Sequence, residues 1–350
     1  MQGFWFAVAI GSVLTAQVAA PAVAADAPLL PPLFPPMIAP AAPVPDIDFF
    51  APQPVVSWQA DFAARYWFGR SKMAKNLYDV PSSSSDLVSR LTYDGLNTHA
   101  GELFGRIAFT TGWFVKGYVG AGAVAHGTLQ DEDFPPAISP YSSTTSEQHN
   151  GYLAYASADI GFNIVRGGDF RVGAFAGYHY FNESASAYGC TQTATNPFVC
   201  VPSIPNDILG ITQNNHWHSL RLGLDGTVLL GERFKFSAEA VWLPYVHLSG
   251  TDAHWLRIGS LPGDFGGPIP EDGNGHGYQF EALLSYMITP NASIGIGGRY
   301  WHMETHGSAH FDDHIVGFAA LPQPLDWKTD IYGVFVQAGI KLDPYPLRLN

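Results

Sequence analysis

Tyr332-Gly333-Val334-Phe335-Val336-Gln337-Ala338-Gly339-Ile340-Lys341-Leu342 changes character at every second residue. Tyr332, Val334, Val336, Ala338, Ile340 and Leu342 form one set; Gly333, Phe335, Gln337, Gly339 and Lys341 form the other. Successive side chains of an extended chain point to opposite faces, so this run is a strand with one apolar surface and one small or polar surface. The pattern recurs where Tyr278, Phe280, Ala282, Leu284 and Tyr286 alternate with Gln279, Glu281, Leu283 and Ser285. From Val56 onward the dominant period is two rather than 3.6. A soluble sandwich also alternates, with its apolar face inward. A membrane barrel inverts this, presenting apolar residues to lipid and polar ones to the lumen. Length separates the two: strands of soluble proteins usually run ~3–10 residues, and several segments here are roughly twice that.

The alternation predicts strands over 56–72, 87–110, 113–129, 149–166, 169–187, 212–230, 233–251, 276–289, 292–305 and 327–342. Short turns fall at Thr111-Gly112, Gly167-Gly168, Gly231-Glu232 and Pro290-Asn291, and long loops at 73–86, 130–148, 188–211, 252–275 and 306–326. An even strand number with turns on one rim and long loops on the other is the signature of outer-membrane barrels. The expected fold is therefore all-β: a ten-stranded antiparallel transmembrane β-barrel of outer-membrane type, spanning 56–343, with long extracellular loops. Closure satisfies every backbone group in lipid without leaving an edge. Trp67, Trp113, Tyr300 and Trp301, near segment ends, suit interfacial girdles. Location in the outer membrane with both termini periplasmic follows from the even count.

The flanking segments agree with export. Phe4 to Ala20 is almost wholly apolar and precedes Ala22-Val23-Ala24-Ala25, which reads as a signal peptide over 1–25, although no Lys or Arg precedes the apolar run. The segment 26–55 is proline-rich, with ten prolines between Asp26 and Pro54, and reads as an extended periplasmic linker. Asp343-Pro344-Tyr345-Pro346 cannot prolong a strand, so 344–350 is expected to be a short tail. The only cysteines, Cys190 and Cys200, suggest one disulfide in an oxidising compartment. A net charge of −13 disfavours nucleic acid as a partner. No HExxH, paired-cysteine ligand set or glycine-rich phosphate loop is present, so zinc-protease chemistry and nucleotide binding have no support.

Two short motifs carry chemistry. Asp131-Glu132-Asp133 follows the third predicted strand and Asp252-Ala253-His254 the seventh. Strands three and seven of a ten-strand ring lie nearly opposite, so the motifs face each other across the loop-end mouth. In extended backbone Asp131 and Asp133 share a face, as do Asp252 and His254. An Asp bound to one ring nitrogen of His fixes its tautomer and raises its basicity, leaving the other nitrogen free to take a proton from water. Each motif alone is commonplace in acidic loops; only the shared rim gives them weight.

In that setting the chain resembles the omptin family of outer-membrane endopeptidases over residues 58–342. The landmarks are Ser89-Arg90-Leu91-Thr92-Tyr93, Gly127-Thr128-Leu129-Gln130-Asp131-Glu132-Asp133-Phe134, Gly173-Ala174-Phe175-Ala176-Gly177-Tyr178, Ser249-Gly250-Thr251-Asp252-Ala253-His254 and Tyr286-Met287-Ile288-Thr289-Pro290-Asn291-Ala292. The resemblance implies a water nucleophile activated by His254, oriented by Asp252, together with Asp131. Asp133 would assist in proton handling or oxyanion stabilisation. It also implies peptide or protein substrates at the cell surface and no metal or other cofactor.

Departures bear on specificity. Members that cleave at basic residues carry an acid two positions before the dyad Asp; here that position is Gly250. A second pocket acid falls near Met73, with Lys72 and Lys75 adjacent. A strict Arg or Lys preference is therefore not expected. The family's lipopolysaccharide-clamping basic residues fall near Asn182 and Val228, so membrane lipid is an expected partner while lipopolysaccharide dependence stays open. Two alternatives remain: a non-enzymatic barrel (narrow pore, adhesin or structural protein), and a barrel lipase using Ser219 with His216 or His218. His302, Glu304, His306, His310, Asp312, Asp313 and His314 crowd the last long loop; a polar loop is favoured over a metal site there.

Overall fold

The computed structural model describes residues 57–79, 86–134, 140–260, 264–311 and 322–343. The expected signal peptide, linker and C-terminal tail lie outside the described residues, as do Asp312, Asp313 and His314. The strands are β1 (Trp58–Tyr78), β2 (Leu87–Phe109), β3 (Trp113–Asp133), β4 (Ser142–Gln148), β5 (Gly151–Arg166), β6 (Phe170–Gln192), β7 (Ile204–Leu230), β8 (Phe234–His254), β9 (Ile269–Thr289), β10 (Ala292–Ala309) and β11 (Gln323–Leu342). Every neighbouring pair is antiparallel, and β1 pairs with both β2 and β11, so the sheet closes on itself. β4 and β5 both lie between β3 and β6: β4 pairs with the loop-end part of β3 and β5 with its turn-end part. They are one stave interrupted at His149-Asn150, where Asn150 adopts a φ of 58°. The eleven strands thus fill ten positions round the ring, as the alternation predicts.

The four predicted turns sit at one end, with Gly112 (φ 107°) and Gly231 (φ 70°) in conformations that favour glycine. The loop end differs from expectation. The strands are longer and the loops shorter: 142–148 is strand rather than loop, β6 continues to Gln192, β7 begins at Ile204 and β9 at Ile269. Asp131, Asp133, Asp252 and His254 accordingly lie within the last residues of β3 and β8, not in loops. A sequence pattern read as apolar against polar loses contrast there because the outer face lies beyond the apolar band while the inner face carries buried polar and charged side chains.

Outward residues next to the turn end form a continuous apolar band. Tyr66, Phe68, Leu103, Val119, Ile160, Leu222, Leu284, Ile296, Val334 and Val336 are all exposed. On β1 the band runs from Trp58 to Phe68 and on β11 from Tyr332 to Leu342, about the 9–11 residues a tilted strand needs to cross a bilayer. Trp113 and Tyr332 lie on this outer face, but Trp67 and Trp301 are buried inside the barrel, 1% and 2% exposed. Parity excludes those two from a lipid-facing girdle.

The lumen is filled. Trp67, Tyr118, Tyr155, His179 and Trp301 pack ring against ring across it, with centroids 5.1 Å apart for Trp67–Trp301, 5.2 Å for Tyr155–Trp301 and 4.9 Å for His179–Trp301. Beneath them Arg299 bridges Glu102 and Glu281 at 2.6 Å each, and Arg65 joins Glu102 at 2.9 Å. Buried charges persist only when paired and hydrogen-bonded, and here they are. A cavity of about 670 Å³ opens below this layer at the turn end, lined by Arg106, Arg171, Asp225 and Lys235 among others. Near the loop end Cys190 and Cys200 form a disulfide, Cα–Cα 5.7 Å.

Candidate active site at the loop-end mouth

Inward parity builds the site. On β8, Val246, Leu248, Gly250, Asp252 and His254 alternate inward, the first two fully buried. On β3, Leu129 is 1% exposed, which puts Asp131 and Asp133 on the same inner face; Glu132 points outward and accepts a hydrogen bond from Gln130. β1 contributes Met73 and Lys75, both buried, and β9 contributes Glu271.

Asp252 is the hub. Its Oδ2 accepts a hydrogen bond from His254 Nε2 at 3.0 Å and another from Lys75 Nζ at 2.5 Å. Its Oδ1 is buried with no partner among the described residues. Lys75 also donates to Glu271 Oε1 at 2.6 Å and Gln213 Oε1 at 3.1 Å. Glu271 Oε2 in turn accepts from Gln213 Nε2 (2.8 Å) and Trp327 Nε1 (3.1 Å). These groups lie 15–20 residues along their strands from the turn end and well beyond the apolar band.

The electrostatics follow from burial and these partners. Burial disfavours the Asp252 carboxylate, but the His254 and Lys75 charges and their hydrogen bonds outweigh it and hold Asp252 well below the usual carboxylate range. Burial also works against the His254 imidazolium; Asp252, then Asp131, overcome it and raise its pKa. Lys75 is raised for the same reason, with Asp252 and Glu271 outweighing the loss of solvent. Asp131 moves the other way from Asp252. Burial pushes it up to about 7, with Asp133 and Asp252 adding and His254 and Lys75 opposing. Burial also raises Asp133, against a hydrogen bond from Ser89. Asp131 and His254 each contribute to the other's shift, and their strands β3 and β8 stand four positions apart in the ring.

Met73 and Gly250 each border Asn215. Asn215 Nδ2 lies 3.8 Å from Met73 Sδ, and a Cβ at Gly250 would sit 2.9 Å from Asn215 Oδ1 and 3.5 Å from Glu271 Oε2. Lys75, Glu271, Gln213 and Tyr93 are the neighbours that the motifs do not reveal. The Tyr93 hydroxyl is buried without a partner among the described residues, and burial, then Asp252, Glu271 and Asp131, drive its pKa well up. The signal for Lys75 was parity: a lysine two places from Met73 on the inner face of β1 must be buried and therefore paired.

Other sequence candidates do not assemble. His218 and Ser219 are adjacent on β7 and face opposite sides: Ser219 is buried against Met303, while His218 is outside against Tyr178 and Tyr180. His216 is also outside, hydrogen-bonded to Tyr180. Ser219 therefore forms no lipase pair with His216 or His218. Val228 pairs with Phe170 and Phe236 near the turn end, the wrong end for a contact with the loop-side leaflet, and Asn182 is covered by Asn214 and His216. His302 and His306 are strand residues on the outer face, bound to Asp330 and Asp326. No group of three His, Cys, Asp or Glu side chains suited to a metal occurs among the described residues.

No family model and no curated protein matches the chain. Solved structures do. The outer-membrane protease OmpT from Escherichia coli aligns with a TM-score of 0.60 at 17% identity, covering 82% of this chain and 96% of OmpT. The attachment invasion locus protein Ail of Yersinia pestis aligns at TM-score 0.23 and 8% identity, covering 80% of this chain and 97% of Ail. The Pseudomonas putida toluene transporter TodX aligns at 0.27 and 9%, covering 85% and 92%. At such identities the likeness concerns fold: the chain has the architecture of outer-membrane β-barrels.

Proposed function

We propose that this chain is an outer-membrane surface endopeptidase of omptin type, its loop end extracellular and its turn end periplasmic. The observation that carries the reading is the Asp252–His254 hydrogen bond of 3.0 Å at the mouth, electrostatically coupled to Asp131 on the facing strand. A water molecule held between Asp131 and His254 is the nucleophile. With Nε2–H donated to Asp252, Nδ1 of His254 is the free basic nitrogen and takes the water proton as oxygen attacks the peptide carbonyl carbon. The imidazolium then returns that proton to the departing amine nitrogen as the C–N bond breaks. Asp131 orients the water, and Asp133 assists in proton handling at the carbonyl oxygen as negative charge develops there. The unpartnered Asp252 Oδ1 and Tyr93 hydroxyl leave room in the hydrogen-bond inventory for water or substrate groups.

A conducting pore is opposed by the lumen, which two successive layers of buried side chains fill. The test uses the barrel refolded in lipid, with and without lipopolysaccharide. His254→Ala and Asp131→Asn are each expected to lose ~10²–10⁴-fold in peptide hydrolysis, the usual worth of a general base or its partner, while still inserting and remaining heat-modifiable. Unchanged cleavage of a peptide library by either variant would sink the assignment.

A further inference from the structure

Directly beneath the dyad lies a site made for one monovalent cation, and the chain itself fills it. The ammonium of Lys75 is fully enclosed, with Asp252 Oδ2 at 2.5 Å, Glu271 Oε1 at 2.6 Å, Gln213 Oε1 at 3.1 Å and the Trp327 ring centroid at 5.7 Å. Two carboxylates, an amide oxygen and an indole face are what a guanidinium or alkylammonium guest would ask for. The donor side is complete as well: Gln213 and Trp327 hold the second Glu271 oxygen, so the cage is rigid before any ligand arrives. Gly250 adds no side chain to this floor.

We infer that Lys75 is a built-in occupant of a cation pocket below the Asp252–His254 pair. By filling that pocket it excludes Arg and Lys side chains and selects peptides with an uncharged residue at the cleavage position. The substrate part of this inference rests on the endopeptidase reading; the pocket part does not. A second cation brought to the site meets either no vacancy or an ammonium of the same sign. A neutral substrate side chain at the mouth meets neither. Glu271 and Asp252 provide the negative charge; Lys75 decides that no substrate reaches it.

The experiment empties the pocket. Lys75→Ala removes the butylammonium and leaves its cage. Benzamidine and n-butylammonium, added to the refolded full-length protein, are the probes, read by calorimetry and by the fluorescence of the neighbouring tryptophan. The wild type is expected to show no saturable binding and Lys75→Ala to bind. Lys75→Ala/Glu271→Gln is expected to lose most of that binding, an effect that mere loosening of the barrel would not produce. In parallel, two peptides differing only in Arg or norleucine at the cleavage position are compared. The wild type should favour norleucine, and Lys75→Ala should raise the Arg-to-norleucine ratio of kcat/KM by roughly 10- to 100-fold, the worth of one charge-assisted hydrogen bond. Saturable benzamidine binding by the wild type, or equal binding by Lys75→Ala and the wild type, overturns the inference. So does faster wild-type cleavage at Arg than at norleucine. If Lys75→Ala folds only when n-butylammonium is present, that rescue is itself the supporting result; if it fails to fold with the cation present, the pocket is not a cation site and the inference falls. A wild type that cleaves neither peptide defeats the endopeptidase reading, while the benzamidine result still decides the pocket.

Discussion

At the scale of the residue, the proposed activity and the stability of the fold pull against each other at Asp131. Its folded pKa of about 7 stands above the ordinary 3.8 because burial and two neighbouring carboxylates disfavour its charge. The folded protein therefore holds the proton more tightly than the unfolded chain does. Stability falls as pH rises through the window between those values, and the penalty is fully present above about 7. Asp131→Asn removes it. The variant's unfolding midpoint in urea should rise relative to wild type at pH 8 and match it at pH 3; a lower midpoint at pH 8 would contradict the assigned environment. Activity runs the other way. In the proposed mechanism Asp131 and His254 act unprotonated, and both have raised pKa values, so protonation would disable water activation from near neutrality downward. The profile of kcat/KM should have its acid limb around pH 7, well above the usual carboxylate range. An acid limb near pH 4 would show that neither group titrates as the geometry requires. Asp252, held by Lys75 and His254, stays ionised across that whole range and contributes stability that is lost only in strong acid, as pH falls through its depressed value.

At the scale of the element, legibility followed solvent. Where the outer face meets lipid, Tyr332 to Leu342 and Tyr278 to Tyr286 carry enough contrast to fix strand, face and parity from sequence. Toward the loop end the contrast fades. Ser142–Gln148 is seven polar residues in β4, read as loop because neither face is apolar. Parity, however, survives where composition fails: it put Asp131 with Asp133 and Asp252 with His254 on inner faces, and it separates Ser219 from His218. What parity could not supply was the partner of each inward charge, since Lys75 and Glu271 are 196 positions apart in sequence and meet only once the ring closes. The outer band makes its own prediction. Val336→Arg, in the middle of the apolar stretch of β11, should cost ~2–4 kcal/mol of folding stability in lipid, and Arg at Asp330, above the band, ~0–1 kcal/mol. Equal costs at the two positions, measured by refolding into vesicles, would misplace the band.

At the scale of the molecule, the barrel works as a platform with a closed floor. Its mouth holds charged groups whose pKa values are set by burial, and such a site requires that water not stream through it. Two layers do the closing. The aromatic layer around Trp301 lies above the Arg65–Glu102–Arg299–Glu281 layer, so the lumen is occupied at two successive levels. Trp301→Ala should therefore destabilise the barrel by ~3–5 kcal/mol through the void it leaves, yet still pass no steady current in a planar bilayer, because the ion-pair layer remains. Loss of Glu102 should cost a comparable ~3–5 kcal/mol, since it removes one carboxylate from two buried guanidinium groups and leaves both to Glu281. Only a variant that breaches both layers, such as Trp301→Ala with Glu102→Ala and Arg299→Ala, should conduct. A wild-type barrel with steady ohmic conductance would mean that the lumen side chains swing aside in lipid, and the reading of a sealed, water-activating site would give way to that of a channel.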